Sequence, residues 1–192
     1  MELAILIIGL IYSIVLHELA HGYVAEKLGD YTPRYAGRLT LNPFSHLDPI
    51  GSFFLPLFTY LIGGFIIGWA KPVPINPYNF EKPDRDTALV AIAGPLTNII
   101  IALILASLYK LFYFNGISLT FLLALIRLNL VLAIFNLMPI PPLDGSRIFL
   151  RNIDPQTMLF LEQFGFIFIL LLIYFGFPFL SSIVNFIFNL LI

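Results

Sequence analysis

Hydrophobic residues fill six stretches of the chain, and polar residues with prolines and glycines separate them. These stretches, segments A to F, cover residues 2–27, 50–69, 88–112, 117–138, 157–176 and 178–192. Most are almost free of charge over about 18 or more residues, the length that a helix needs to cross a ~30 Å hydrocarbon layer. The pattern predicts an all-α membrane protein, a polytopic helical bundle of five to six hydrophobic segments.

The two long connections carry strong helix breakers. Residues 28–49 and 70–87 each contain several prolines, so neither is expected to form a long helix. Residues 35–42 (YAGRLTLN) mix aromatic, β-branched and alternating polar residues. This mixture predicts a short β-strand or hairpin after the first helix.

Segment B differs from the others because Pro56 and the pair Gly63-Gly64 permit a break in a marginal span. If B returns to the side it left, Lys110 stands alone on the far side and Arg127 lies within segment D. The other eight of the ten basic residues then share one side: Lys27, Arg34, Arg38, Lys71, Lys82, Arg85, Arg147 and Arg151. A full crossing would abolish this asymmetry. The positive-inside rule therefore predicts a re-entrant B, with the charged side in the cytoplasm.

Composition supports lipid as the solvent for much of the surface. The chain has 192 residues, of which 59% are hydrophobic and 11% charged, and its mean hydropathy is +0.95. One soluble domain of this length could not bury so much apolar surface. The net charge of −1 and the scattered basic residues exclude a nucleic-acid partner, and the absence of Cys excludes thiolate ligands and nucleophiles. Residues 1–3 lack a basic signal region, so segment A is expected to remain as a spanning helix.

Segment A carries the sequence HELAH, which is the HExxH pattern, at His17 to His21. Side chains at positions i and i+4 lie on one helical face, so the two imidazoles can converge on one cation with Glu18 beside them. HExxH also occurs by chance in many proteins. Within a spanning helix, however, each charged group costs roughly 2–3 kcal/mol, which makes such groups functional candidates.

Two His ligands leave a catalytic zinc ion one protein ligand short. Asp144 is the best candidate for the third, and Glu81 and Glu162 are the alternatives that a different membrane zincin would use. Three prolines before Asp144 predict an extended strip, and Gly145 is expected to turn the chain after it. If B is re-entrant, segments A and D run parallel and end on the same side. His17, His21 and Asp144 could then meet.

Other polar residues have structural and functional interpretations. His46 and Asp48 suit a second metal site or a proton relay, but loop hydrogen bonds and an Asx-type turn are favoured. Asn98 could pack between helices or contact substrate, and Asn129 could line a cavity or satisfy a neighbouring helix. Arg127, within segment D, is expected to need a partner such as a carboxylate or a backbone carbonyl.

Several separate motifs occur together in a fixed order. They are HELAH, GRLTLNPFSHLDPIG, GWAKPVPINP, AGPLTN at residues 93–98 and FNLMPIPPLDG at residues 135–145. In this combination the chain strongly resembles the site-2 protease family of intramembrane zinc metalloproteases, in its compact prokaryotic form without a PDZ domain. The resemblance covers roughly residues 9–150.

The resemblance implies a role for each motif residue. His17, His21 and Asp144 match the family's ligands of one Zn²⁺ per chain, and Glu18 matches the general base. Asn136 matches an Asn that positions substrate or stabilises the oxyanion. The implied function is zinc-dependent intramembrane endopeptidase activity, in which Glu18 activates a zinc-bound water.

This function implies transmembrane protein substrates and a lipid bilayer as partners, in a multi-pass protein of the cell membrane with its active site toward the cytoplasmic side. A metal transporter or an inactive protease relative remains the alternative. The simplest domain count is one. We expect a single metalloprotease domain over residues 1–192, with the HExxH helix at 2–27, the strand and re-entrant segment at 28–87, helices C and D with the LDG motif at 88–145, and C-terminal helices at 157–192.

Overall fold

The computed structural model describes residues 2–54, 57–59, 61 and 70–192. The three longest helices are α1 (Glu2–Lys27), α3 (Pro83–Leu111) and α4 (Gly116–Asn136). The shorter helices are α2 (Thr32–Tyr35), α5 (Asp144–Phe149), α6 (Pro155–Gln163), α7 (Gly165–Leu171) and α8 (Phe177–Leu191). A π-helical turn, Leu172–Gly176, joins α7 to α8. Single helical turns also occur at Pro43–His46, Ile50–Phe54 and Pro77–Asn79.

Within these described ranges, four helices are long and apolar enough to cross a membrane: Ile5–Lys27, Pro83–Leu111, Gly116–Asn136 and Gly165–Leu191. The described part of the chain is therefore an all-helical bundle, as expected of a multi-pass membrane protein. Segments A, C and D correspond to α1, α3 and α4. Segment B lies largely among residues that the structure does not describe, so the re-entrant prediction falls outside the described residues.

The boundary expected between the hydrophobic segments E and F is not a break in the helix. Gly165–Leu191 is one helical stretch, and the break lies before it, at Phe164. Pro178 does not end the helix because it is at the start of α8, directly after the π-helical turn, where a missing backbone N–H is tolerated. Gly165 fits there because a Cβ would collide with the Pro141 carbonyl.

The predicted strand at residues 35–42 is also wrong. This segment follows α2 as turns and bends, with Gly37 at φ 66°. Its polar groups bond to residues nearby in sequence: the buried Arg38 guanidinium donates to the Ser45 carbonyl, and His46 Nε2 donates to the Thr40 carbonyl at 2.9 Å. The segment therefore folds on itself. Its composition is typical of a strand, but β-propensity is realised only where a neighbouring strand is available for pairing.

Helix directions follow from the side chains that meet. His17 on α1 meets Asn98 on α3, whereas His21, one turn further along α1, meets Val90, earlier on α3. The two helices are therefore antiparallel. The chain between α1 and α3 consequently starts and ends at the same end of the bundle.

Helix α4 runs parallel to α1, and the C-terminal helix runs back again. Ser13 meets Asn129 on α4, and the residues after α4 reach the α1 histidines. The Arg127 guanidinium lies 4.4 Å from the Phe188 ring centroid on α8. An apolar core ties α3, α4 and α8 together through Ala102, Ala106, Leu122, Ile126, Leu130, Val184 and Phe188. The small Ala side chains allow close approach, as is usual between helices in lipid.

Candidate metal centre

Two imidazoles face each other on the C-terminal half of α1. His17 and His21 are one turn apart and buried, with ring centroids 4.7 Å apart and planes at 85°. Their Nε2 atoms are 3.0 Å apart. The i, i+4 spacing of HExxH thus directs both side chains to one point, as a helix requires.

Asp144 reaches the same point from the chain that follows α4. Its Oδ2 lies 3.2 Å from His17 Nε2 and 3.3 Å from His21 Nε2. The prediction of an extended strip before Asp144 is wrong, since the prolines form tight turns closed by a 2.8 Å bond from Leu143 N to the Ile140 carbonyl. Gly145 is not a turn residue either. It lies in α5, where a Cβ would collide with the Leu137 carbonyl.

The outer nitrogen of each imidazole is held by an oxygen of α3. His17 Nδ1 lies 2.6 Å from Asn98 Oδ1, and His21 Nδ1 lies 2.7 Å from the Val90 carbonyl oxygen. A carbonyl oxygen only accepts, so His21 carries its proton on Nδ1. The amide oxygen of Asn98 requires the same of His17. Both Nε2 atoms then present lone pairs to Asp144 Oδ2.

Three electron-rich atoms therefore face one another at 3.0–3.3 Å. Asp144 Oδ2 is buried and has no hydrogen-bond donor among the described residues. Such a cluster is repulsive unless a cation lies between its members. Zinc–ligand bonds of about 2.0–2.1 Å in a tetrahedron place ligand atoms about 3.3 Å apart, so the donor set fits a zinc ion.

Gly94 on α3 lies beside the Nε2 atoms of the two imidazoles, on the side that faces Asp144. A Cβ on this residue would lie 2.6 Å from His17 Nε2 and would also overlap His21. Glycine is therefore the residue that lets α3 lie against both imidazoles. Sequence reasoning did not assign Gly94 a place beside the metal centre.

Glu18 lies beside this cluster and is held by the loop before α3. The Val73 backbone N–H donates to Glu18 Oε2 at 2.8 Å. The same loop is attached on either side of Val73: Lys71 N donates to the His46 carbonyl at 2.9 Å, and Asn76 N donates to Asp30 Oδ2 at 2.7 Å. Sequence reasoning missed Val73, because a backbone donor has no side-chain signature.

Asp30 is the buried anchor of that loop. Its Oδ1 accepts from the Thr32 backbone N–H and hydroxyl and from the Asn79 amide, in addition to the Oδ2 bond with Asn76. Burial by itself raises the pKa of Asp30, but these hydrogen bonds outweigh burial and hold its pKa below the ordinary value. Sequence reasoning missed this role of Asp30, because its partner Asn79 is 49 residues away in the chain.

The remaining polar candidates have structural surroundings. Asp48 Oδ1 accepts from the backbone N–H groups of Ile50 and Gly51, so the turn interpretation fits. His46 is buried and bonds to the Thr40 carbonyl. Within the part of the chain that the structure describes, the partner found for Arg127 is the Phe188 ring and not the expected carboxylate or carbonyl.

Asn136 donates to the Leu132 carbonyl of its own helix at 2.9 Å. Glu81 and Glu162, the alternative third ligands, do not take part in the cluster. Among the residues that the structure describes, His17, His21 and Asp144 form the single group of three or more potential ligands that could hold a metal ion.

A comparison with known families decides between the classes of protein that such a centre allows. The sequence profile of peptidase family M50 matches residues 5–118, more than half of the chain. The chain belongs to peptidase family M50. The prediction of a site-2 protease relative is thereby confirmed, as is that of a zinc metalloprotease with membrane-spanning helices.

Curated relatives of this M50 protein have names of the same kind. YwhC of Bacillus subtilis, named as a candidate zinc metalloprotease, is 45% identical over 179 residues, covering 87% of this chain and 78% of YwhC. Rip2 of Mycolicibacterium smegmatis, named in the same way, is 30% identical over 179 residues, covering 88% of this chain and 66% of Rip2. The zinc metalloprotease MJ0392 of Methanocaldococcus jannaschii is 33% identical over 146 residues, which are 76% of this chain and 33% of MJ0392. No solved structure matches the chain.

Proposed function

We propose that this M50 protein is a zinc-dependent intramembrane endopeptidase that cleaves transmembrane segments of other membrane proteins. His17, His21 and Asp144 would hold one zinc ion per chain. The observation that carries the proposal is the convergence of these three acceptor atoms within 3.0–3.3 Å of one another, from α1 and from the start of α5.

The depth of the centre supports cleavage within the membrane. His21 is six residues and His17 ten residues from the end of α1 at Lys27. At ~1.5 Å per residue, the two side chains lie roughly 9 and 15 Å inside the helix end. A peptide bond must therefore enter the span to reach them. Because helical substrates hide their carbonyls in internal hydrogen bonds, cleavage requires local unwinding.

Glu18 is assigned the role of general base. A bound zinc ion would polarise the scissile carbonyl and lower the pKa of a water molecule toward ~7. Val73 holds Oε2 of Glu18, so we assign proton transfer to Oε1. The carboxylate takes the proton as the water attacks and delivers it to the leaving amine. Asn136, the last residue of α4, is assigned to substrate positioning or oxyanion stabilisation.

The orientation in the cell membrane follows from helix direction and charge. Since α1 and α3 are antiparallel, the chain leaves α1 and enters α3 at the same end of the bundle, which supports the re-entrant path predicted for segment B. Eight of the ten basic residues then share the end of the bundle at which α1 ends. The positive-inside rule assigns that end, and the metal centre near it, to the cytoplasmic side. We further propose that residues 1–192 act as one domain.

The experiment uses the purified chain in lipid vesicles with a panel of single-span transmembrane peptides. We expect chelator-sensitive cuts within the apolar segments, located by mass spectrometry. Glu18→Gln should reduce cleavage by a factor of about 10²–10⁴, because proton transfer is lost, while one zinc ion per chain is retained. Glu162→Gln, the same substitution at an exposed residue of α6, is the matched control and should keep both.

Three results would contradict the proposal. Cleavage by the Glu18→Gln variant would contradict the role of Glu18 as general base. Cuts confined to the polar residues that flank the apolar segments would contradict cleavage within the membrane. Zinc-dependent ion flux without cleavage would favour a transporter. The described residues speak against transport, because they contain one ligand cluster and not a series along the bilayer normal.

A further inference from the structure

A chain of hydrogen bonds leads from His17 into the middle of the bundle. His17 Nδ1 bonds to Asn98 Oδ1 at 2.6 Å, and Asn98 Nδ2 donates to Asn129 Oδ1 at 3.0 Å. Asn129 Nδ2 then donates to Ser13 Oγ at 3.1 Å, and Ser13 Oγ donates to the Gly9 carbonyl at 2.8 Å. Asn98 and Asn129 are 0% exposed and Ser13 is 5% exposed, so water does not compete for these bonds.

Every hydrogen of the three side chains has an acceptor. The second amide hydrogen of Asn98 points to the Ser13 carbonyl at 3.4 Å, and that of Asn129 points to the Leu125 carbonyl at 3.0 Å. An Asn amide supplies two donors and a Ser hydroxyl one, and all of them are used. A network satisfied in this way is rigid, because each alternative arrangement would leave a buried polar group unpaired.

Main-chain carbonyls determine the direction of the bonds. Turning the Asn129 amide over would place its oxygen against the Leu125 carbonyl, and turning Asn98 over would place its oxygen against Asn129 Oδ1 and the Ser13 carbonyl. Carbonyl oxygens cannot donate, so both changes bring acceptors together. Asn98 must therefore present its oxygen to His17, which requires a proton on Nδ1 and leaves the Nε2 lone pair for the metal.

We propose that Asn98 is a positioning residue of the metal centre. Supported by Asn129 and Ser13, it holds His17 in the tautomer and ring orientation that direct Nε2 toward Asp144 and His21. This inference rests on the proposed role of His17 as a zinc ligand. His21 obtains the same orientation from the Val90 carbonyl. His17 is thus the ligand whose orientation depends on a side chain that can be substituted.

The test compares Asn98→Ala with Asn98→Asp in the full chain, purified in detergent. The dissociation constant for zinc is measured by competition with a chelator, and the melting temperature is measured without metal. Asn98→Ala should raise the dissociation constant about 10- to 100-fold, the usual effect of losing such a partner. Asn98→Asp keeps an acceptor for His17 and should stay within about threefold of wild type.

The same two variants should rank differently in stability. The carboxylate that Asn98→Asp introduces would face Asn129 Oδ1 and the Ser13 carbonyl, so this variant should lower the melting temperature at least as much as Asn98→Ala. Asn129→Ala is the matched control, a buried Asn one bond further from the ligand. It should lower the melting temperature with less change in zinc affinity than Asn98→Ala.

A zinc affinity that falls equally in both Asn98 variants, in step with their melting temperatures, would overturn the inference. Should the variants not fold, ¹⁵N spectra of the metal-free wild-type chain can show which ring nitrogen of each histidine carries the proton. They are recorded at alkaline pH, where imidazole is neutral. The chain has three His, so the signals can be assigned. A proton on His17 Nε2 would overturn the role of Asn98. A wild-type chain that binds no zinc would instead overturn the ligand set of the proposed function.

Discussion

The two halves of the bundle are built by different means. Helices α1, α3 and α4 enclose buried polar side chains that bond to one another across the helices, among them His17, His21, Asn98 and Asn129. The C-terminal stretch Gly165–Leu191 has no buried polar side chain among its described residues. In its most apolar 18 residues, 11% are buried, whereas 39% are buried in the corresponding part of α3. Directional bonds define the first half, whereas apolar packing against α3 and α4 holds the second.

This difference indicates what each half can tolerate. Lipid is as apolar as the side chains of α8, so packing there competes with lipid contacts of similar strength. A buried amide or imidazole has no such substitute, since an unpaired polar group in the bundle is costly. Substitutions in the first half should therefore affect the metal, and substitutions in the second half should affect stability alone.

The largest expected effect comes from a single methyl group. Gly94→Ala would place a Cβ 2.6 Å from His17 Nε2 and in overlap with His21, so the imidazoles must move. We expect loss of stoichiometric zinc and of peptide cleavage, measured by metal analysis and by the vesicle assay. Gly176→Ala is the matched control in the second half. Its Cβ would meet Cδ1 of Leu172 at 2.7 Å, a flexible side-chain end that can rotate away, so zinc should be retained. Equal zinc loss in both variants would contradict the comparison.

Metal removal should destabilise the first half. The three ligands meet only in the folded chain, so zinc at 100 times its dissociation constant should stabilise that chain by about 2.7 kcal/mol. The measurement is the melting temperature in detergent with zinc and with a chelator. Asp144→Ala removes one ligand and should abolish most of the difference. A melting temperature that does not respond to zinc in the wild-type chain would contradict the assignment.

Asp30 extends the polar half beyond the membrane span. Asp30→Asn replaces one carboxylate oxygen by an NH₂ group, which would face a donor, either Asn76 N or Thr32 N. The free energy of unfolding should fall by about 1–3 kcal/mol at neutral pH. Because the folded pKa of Asp30 is lowered, its stabilisation is complete above the unfolded value of ~3.9 and is lost as the pH falls through the folded pKa.

Unfolding of wild type and Asp30→Asn across this acidic range checks the prediction, and the difference between them should shrink below about pH 4. Asp154→Asn, at the exposed N-cap of α6, is the control. Asn caps helices about as well as Asp, so this change should leave the stability close to that of wild type. A difference between wild type and Asp30→Asn that is constant with pH would argue against the ionised anchor.

The smallest effect is expected in α8. Phe188→Ala removes a buried ring from the core with α3 and α4 and the cation–π contact with Arg127. In water such a change costs about 3–5 kcal/mol, but lipid can replace part of the packing, so about 1–2 kcal/mol is expected. Phe186→Ala, on an exposed position of the same helix, should be nearly neutral. Zinc affinity should be unchanged in both, and zinc loss in Phe188→Ala would break the distinction between the halves.

Local spacing in the sequence determined much of the candidate centre. The separation of His17 from His21 places them on one helical face in any α-helix, and long apolar segments determine α1, α3 and α4 as spans. Asp144 could be chosen as the third ligand because it follows segment D, which is predicted to end on the same side of the membrane as segment A. These features are readable because each depends on residues close together in the chain.

Tertiary structure decided the rest. Asn98 is 81 residues from His17, and its role depends on the antiparallel packing of α1 and α3. The Val90 carbonyl and the Val73 N–H are backbone groups that any residue type would supply, so no pattern could mark them. The strand expected at 35–42 and the division between E and F failed for the same reason. Local propensity is weak, and the contacts that override it form only when distant segments pack together.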